Sequence, residues 1–152
     1  MHVSGVLSQL VYLSRATSPM SAEDLQRLVR ISAQKNAAAN ITGALLYNAG
    51  WFLQVLEGDP IVLSTLYHDV IALDPRHVDV ERLSFTYSDR RAFPNWSMRS
   101  IDLGAPVELS EEDRQGMRAF AATASVIPAS KAAGLVVRSF ESVINDRLSA
   151  AA

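Results

Sequence analysis

The stretch GWFLQVLEG, residues 50–58, decides the architecture. Side chains alternate along a strand, so Phe52, Gln54 and Leu56 share one face while Trp51, Leu53 and Val55 share the other. Both faces are apolar, which reads as a strand covered on both sides. A neutral amide in its middle carries an acceptor and two N–H donors, and leaving them unmatched costs roughly 1–3 kcal/mol. Something polar must meet Gln54.

Working outward, ITGALLYN (41–48) is a second alternating segment joined to the first through Asn48, Ala49 and Gly50, a hairpin signal. Upstream, LSQLVYLS (7–14) sets Leu10, Tyr12 and Ser14 on one side and Val11 and Leu13 on the other. Between them Ser21, with Asp24 three residues on, is a variant capping box that opens a helix over about 21–37. Downstream, Asp59 and Pro60 open a second helix with apolar Leu63, Leu66, Val70, Ile71 and Leu73. DPRH (74–77) ends it, VDVERLSFTYS (78–88) is a fourth strand and WSMRSIDL (96–103) a fifth. The order βαββαββ predicts an α+β, ferredoxin-like sandwich with both helices on one face of the sheet.

The character changes after residue 104, so the chain divides into 1–104 and a helical extension, 105–152. Ser110 followed by Glu111, Glu112 and Asp113 caps a helix to about 124. Pro128 starts another, with Leu135, Val136, Phe140, Val143, Ile144 and Leu148 as an apolar stripe. The sheet face left open by the first two helices is the simplest sink for that stripe, and dimerisation through it is the rival.

Composition limits the function classes. A chain of 152 residues suits one compact domain plus an appendage. No apolar run approaches the ~20 residues of a membrane span, and the N-terminus lacks a signal-peptide pattern, so a cytoplasmic location is expected. The absence of cysteine removes disulfides, thiolate nucleophiles and cysteinyl photochemistry. A net charge of −2 with mixed signs gives no footprint for nucleic acid. Expected partners are a small molecule, another protein or a copy of itself. The glycines never fall as G-x-G-x-x-G, and no Ser, His and Asp set suggests a hydrolase.

Several polar or aromatic residues then need placing. Leu28, Ser32 and Asn36 recur every fourth position and line one face of the first helix. Taken singly, Ser32 and Asn36 read as solvated helix-end residues, Tyr12 as core, and Trp96 with Met98, alternating onto one face of the last strand, as packing. Taken together, a strand Tyr, a strand Gln and a helix Asn around an apolar slot make a pocket with convergent polar groups.

The segments LVYLSRAT, SAQKNAAANITGALLYNAGWFLQVLEG, DPRHVDVERLSF and RRAFPNWSM resemble the successive motifs of the BLUF family, blue-light sensors that use flavin, over about residues 8 to 103. The resemblance implies FAD or FMN held between the two helices of the βαββαββ core. It implies that Tyr12 is the redox-active tyrosine, that Gln54 stands between that phenol and the flavin, and that Asn36 bonds the ring at C4=O and N3. It also implies that Leu28, Ser32 and Phe52 line the ring, with Lys35 beside the asparagine. Asp74, Arg76 and His77 match residues near the ring and ribityl chain, and Trp96 and Met98 the signalling pair. LYHDVIALDPRH runs one residue longer between its Tyr and Asp than the family pattern and lacks an arginine often found there. The implied mechanism is photochemical, without a consumed substrate: Tyr12 supplies an electron and then a proton to excited flavin, and Gln54 rearranges into a red-shifted state. The output is expected through the C-terminal helices, a separate signalling protein or a homo-oligomer. The rival is a BLUF-like interaction domain that has lost its response to light.

Overall fold

The computed structural model describes residues 6–71, 73–75, 77–104, 108–127 and 131–150, without the side chains of Val70, Lys131, Ala132 and Ala150. In chain order the elements are β1 (Leu7–Ala16), α1 (Ala22–Ala38), β2 (Thr42–Asn48), β3 (Trp51–Gly58), α2 (Pro60–Leu66) continuing into a π turn (Tyr67–Ile71), β4 (His77–Ser88), β5 (Arg99–Asp102), α3 (Glu111–Ser125) and α4 (Lys131–Ala150). The expected βαββαββ order is present.

The five strands lie in the order β4-β1-β3-β2-β5. GWFLQVLEG is the middle strand, antiparallel to β1 on one side and to β2 on the other. Its turn to β2 places Ala49 at φ 50° and Gly50 at φ 85°. Two successive positive φ values belong to a type I′ turn, whose twist matches that of the flanking strands. β5 extends the sheet beyond β2 in parallel, pairing Ala44 with Arg99 and Leu46 with Ile101.

Alternation along these strands divides the interior into two cores. Leu10, Tyr12, Leu45, Tyr47, Phe52 and Leu56 face α1 and α2, where Leu25, Val29 and Leu63 close over them. Val11, Leu13, Ala44, Leu46, Leu53 and Val55 face α3 and α4. The caps are as the sequence indicates: Ser21 with Asp24 and Ser110 with Asp113 form reciprocal capping boxes, and the Asp59 carboxylate accepts from the N–H groups of Ile61 and Val62. The C-terminal helices therefore cover the second sheet face.

Three expectations are corrected. The fifth strand is shorter than 96–103, because only Arg99–Asp102 pairs regularly with β2. Period-two alternation consequently fails over 96–98: Trp96 joins the core under α3 and α4, whereas Met98 joins the one under α1 and α2. The seam of α4 is also rotated from the expected stripe. Ala133, Val137, Phe140 and Ile144 are buried, Val136, Val143 and Leu148 flank them, and Leu135 is 75% exposed. Finally, the second helix changes to π geometry at Tyr67. A π turn takes in one additional residue without breaking the helix, and it falls within the stretch that runs one residue long. Pro128 lies outside the described residues.

The seam leads to a stability test. Phe140→Ala is expected to lower the unfolding free energy by about 3–5 kcal/mol in urea titration. Leu135→Ala should stay within about 0.5 kcal/mol of the parent. Comparable losses at the two positions would contradict the observed rotation of α4.

Candidate functional site

The cleft between α1, the end of α2 and the first sheet face gathers most of the expected site. Tyr12, Leu28, Ser32, Lys35, Asn36, Phe52, Gln54, Asp74, His77 and Met98 all line it. Its cavity volume is about 140 Å³. A single water needs only roughly 10–15 Å³, so the cleft is far larger than a solvent site. Trp96 does not reach it, and Arg76 lies outside the described residues.

The strand register builds the centre of the cleft. Tyr12 pairs with Gln54 across β1 and β3, and Leu45 pairs with Gln54 across β2 and β3. The Tyr12 hydroxyl donates to Gln54 Oε1. The Gln54 amide donates from Nε2 to the Met98 thioether, 3.4 Å away. Thioether sulfur is a weak acceptor, so the two ends of this amide are unequally satisfied. On α1, Asn36 is buried and its Nδ2 donates to the Ser97 carbonyl at 3.0 Å. Ser14 Oγ and His77 Nδ1 lie 2.9 Å apart at the other end of the cleft.

Burial strongly raises the pKa of the Tyr12 phenol, and the negative charges of Asp74 and ionised Tyr67 raise it further. The ring of Tyr67, in the π turn, meets Tyr12 edge-on with centroids 5.9 Å apart. Its own phenol is raised by burial, against an opposing contribution from Arg82. Tyr12 is thus held as a neutral hydrogen-bond donor.

Trp96 sits on the opposite side of the sheet. Its indole N–H donates to Glu112 at the start of α3, and its ring lies 5.0 Å from the Arg99 guanidinium and 5.7 Å from the Phe93 ring. Arg99 bonds Asp113 at 2.7 Å. A Cβ at Gly116 would come within 2.1 Å of the Trp96 ring, so only glycine leaves this slot open.

The sequence reading missed Tyr67, Ile71, Leu45 and Glu57. The first three are apolar or aromatic residues whose role depends on tertiary position. Glu57 was visible within the opening stretch itself: alternation puts it on the face of Leu53 and Val55, and it is fully buried there.

Comparison with known proteins decides the family. Residues 7–99 match the BLUF family model, described as sensors of blue light using FAD. The chain belongs to the BLUF family. The beta subunit of photoactivated adenylate cyclase from Euglena longa is 42% identical over 95 residues, covering 62% of this chain and 11% of that protein. Klebsiella pneumoniae BlrP1, solved with FMN and cyclic diGMP, superimposes with a TM-score of 0.59 at 41% identity over 64% of this chain and 26% of BlrP1. BlrB, a BLUF protein solved in its dark state, gives a TM-score of 0.62 at 26% identity and covers 95% of this chain and 99% of BlrB. The likeness to BlrB therefore extends into the C-terminal helices. The chain spans about a tenth of the length of the cyclase subunits it matches.

A flavin suits the BLUF cleft of this chain. Apolar Leu28, Phe52, Leu66 and Ile71 line it, and the Gln54 amide donates to a weak acceptor, the Met98 sulfur, so a better acceptor such as a ring carbonyl would be favoured there. With Tyr12 raised well above its ordinary value, the photoproduct yield is expected to stay level from pH 6 through about 10. Its proton is retained as pH rises because burial disfavours the phenolate. Loss of yield with a midpoint near 10, measured by absorption after blue illumination, would contradict this electrostatic account.

Proposed function

We propose that in this blue-light sensor Tyr12 and Gln54 form the switch, and that Met98 and Trp96 hand its state to α3 and α4. The observation that carries the reading is the Gln54 amide, which accepts from a strong donor, Tyr12, and donates to a weak acceptor, Met98. Reversal of that amide, by rotation or tautomerisation, exchanges one hydrogen-bond pattern for another without creating a buried charge.

Bound flavin supplies absorption of blue light and an acceptor for the electron. Leu28, Ser32 and Phe52 would flank its ring, Asn36 and Gln54 would meet the polar edge, and Lys35, Asp74 and His77 would lie toward its tail. Arg76 joins this set on the family resemblance alone. Tyr12 holds the transferable proton at its hydroxyl, next to Gln54 Oε1. The same cleft is proposed to accept FMN as well as FAD, since BlrP1 was solved with FMN.

The division into a photosensory unit, 1–104, and a helical output, 105–152, belongs to the same proposal. The two parts meet in the second core, where Met117, Phe120, Val137 and Phe140 pack on Leu13, Leu46 and Val55 of the sheet. We further propose a non-enzymatic, cytoplasmic protein acting on a separate signalling partner or through its own oligomer. Among the described residues no helix is long and apolar enough to cross a membrane.

Two measurements test the reading. Tyr12→Phe should retain flavin, because the ring still packs, but lose the red-shifted state. A normal photocycle in that variant would assign the electron to another donor. For the output, hydrogen exchange in darkness and under steady blue light should change more in α3 and α4 than in α2. Equal protection of α3 and α4 in both states would make those helices a passive lid.

A further inference from the structure

We infer that Glu57 is a positioning residue for the light switch: its buried carboxylate fastens the segment leading into Trp96 and Met98, and so keeps Met98, rather than Trp96, against Gln54. Glu57 is fully buried on the sheet face opposite the flavin cleft, three residues beyond Gln54 on the same strand. Its Oε1 accepts from the Phe93 N–H and its Oε2 from the Ala92 N–H, each at 2.8 Å, and Gln9 Nε2 donates to Oε2 at 3.2 Å. Arg91 reinforces the attachment by donating to the Glu57 carbonyl, the Thr42 hydroxyl and the Asn40 carbonyl. A buried carboxylate is retained only where hydrogen bonds replace its water, and here most of the replacement comes from the backbone of one loop.

From that anchor a short chain of contacts reaches the switch. Phe93 stacks on Trp96 at 5.7 Å and packs against Phe120 of α3 at 5.2 Å. The Trp96 carbonyl accepts from the Gly43 N–H at 2.8 Å, the next carbonyl, Ser97, accepts from Asn36, and Met98 accepts from Gln54. With Phe93 held by Glu57, Trp96 stays in the slot above Gly116 and Met98 faces the cleft. Releasing the anchor removes a constraint that favours this arrangement over one with residues 96–98 displaced. The return from the lit to the dark arrangement should then slow.

The inference rests on Gln54 as the group that light rearranges, and the test separates the two. Glu57→Gln keeps the shape but turns an NH₂ group toward a backbone N–H. Phe93→Leu cuts the aromatic step and leaves the carboxylate bonded. Both are made in a Trp51→Phe background, so that Trp96 is the sole tryptophan, and measured as full-length protein with FAD. Flavin retention should be unchanged, dark recovery should slow by at least about threefold, and Trp96 emission in the dark should shift. A merely structural role would lower the melting temperature of both variants but leave recovery and Trp96 emission as in the parent, and that result overturns the inference. If the parent itself shows no light-induced shift, the switch reading fails, and dark Trp96 emission alone decides the role of Glu57. Should Glu57→Gln not fold, Glu57→Asp, whose shorter side chain pulls the carboxylate back from the Ala92 and Phe93 N–H groups, decides it by the same two readouts.

Discussion

The light response proposed for this sheet depends on one buried amide with unequal partners. Gln54 accepts from the Tyr12 hydroxyl and gives its own N–H to sulfur. Leaving a buried donor or acceptor of this amide unmatched costs roughly 1–3 kcal/mol. Inverting a two-state population from 1:99 to 99:1 takes about 5.5 kcal/mol. Exchange of two or three bonds around one side chain therefore reaches the needed range, whereas a single bond does not. The apolar lining supplies the other half of the design, because water able to compete for the amide would erase the difference between the two patterns.

The segment 96–98 connects this amide to the rest of the protein. It is too irregular to be strand, and for that reason its alternate side chains, Trp96 and Met98, reach opposite sides of the sheet. Met98 and the Ser97 carbonyl answer to Gln54 and Asn36, while Trp96 answers to Glu112 and Gly116 of α3. A regular strand would have placed Trp96 and Met98 on one face and left the two cores uncoupled at this edge. Arg99, bonded to Asp113 and lying over Trp96, is the first residue to pair regularly with β2.

Much of this was legible in the residues. Period-two patterns in LSQLVYLS and GWFLQVLEG correctly separate Leu10, Tyr12, Phe52, Gln54 and Leu56 from Val11, Leu13, Leu53 and Val55, because burial on two faces fixes the register. The period of four on α1 likewise brings Leu28, Ser32 and Asn36 to the cleft. What could not be read depends on contacts distant in sequence. The bend at 96–98 follows from a slot at Gly116 and a carboxylate at Glu112, and the rotation of α4 that exposes Leu135 follows from how two helices share one sheet face. Glu57 was a different case, since its misfit was present in the quoted stretch and its partners, Ala92 and Phe93, lie across a loop that no periodicity describes.

On this reading the Gln54 amide itself is the element that light rearranges. The most direct measurement is the light-minus-dark absorption spectrum of purified Gln54→Leu, with flavin content determined on the same sample. Leucine fills a similar volume in the apolar strand, so bound flavin is expected to remain, and Tyr12 keeps its place on β1. The expected result is flavin retained with the persistent red shift abolished. A Gln54→Leu protein that still forms and slowly loses a red-shifted state would show that the rearrangement resides in another group, and the account of this site would be wrong.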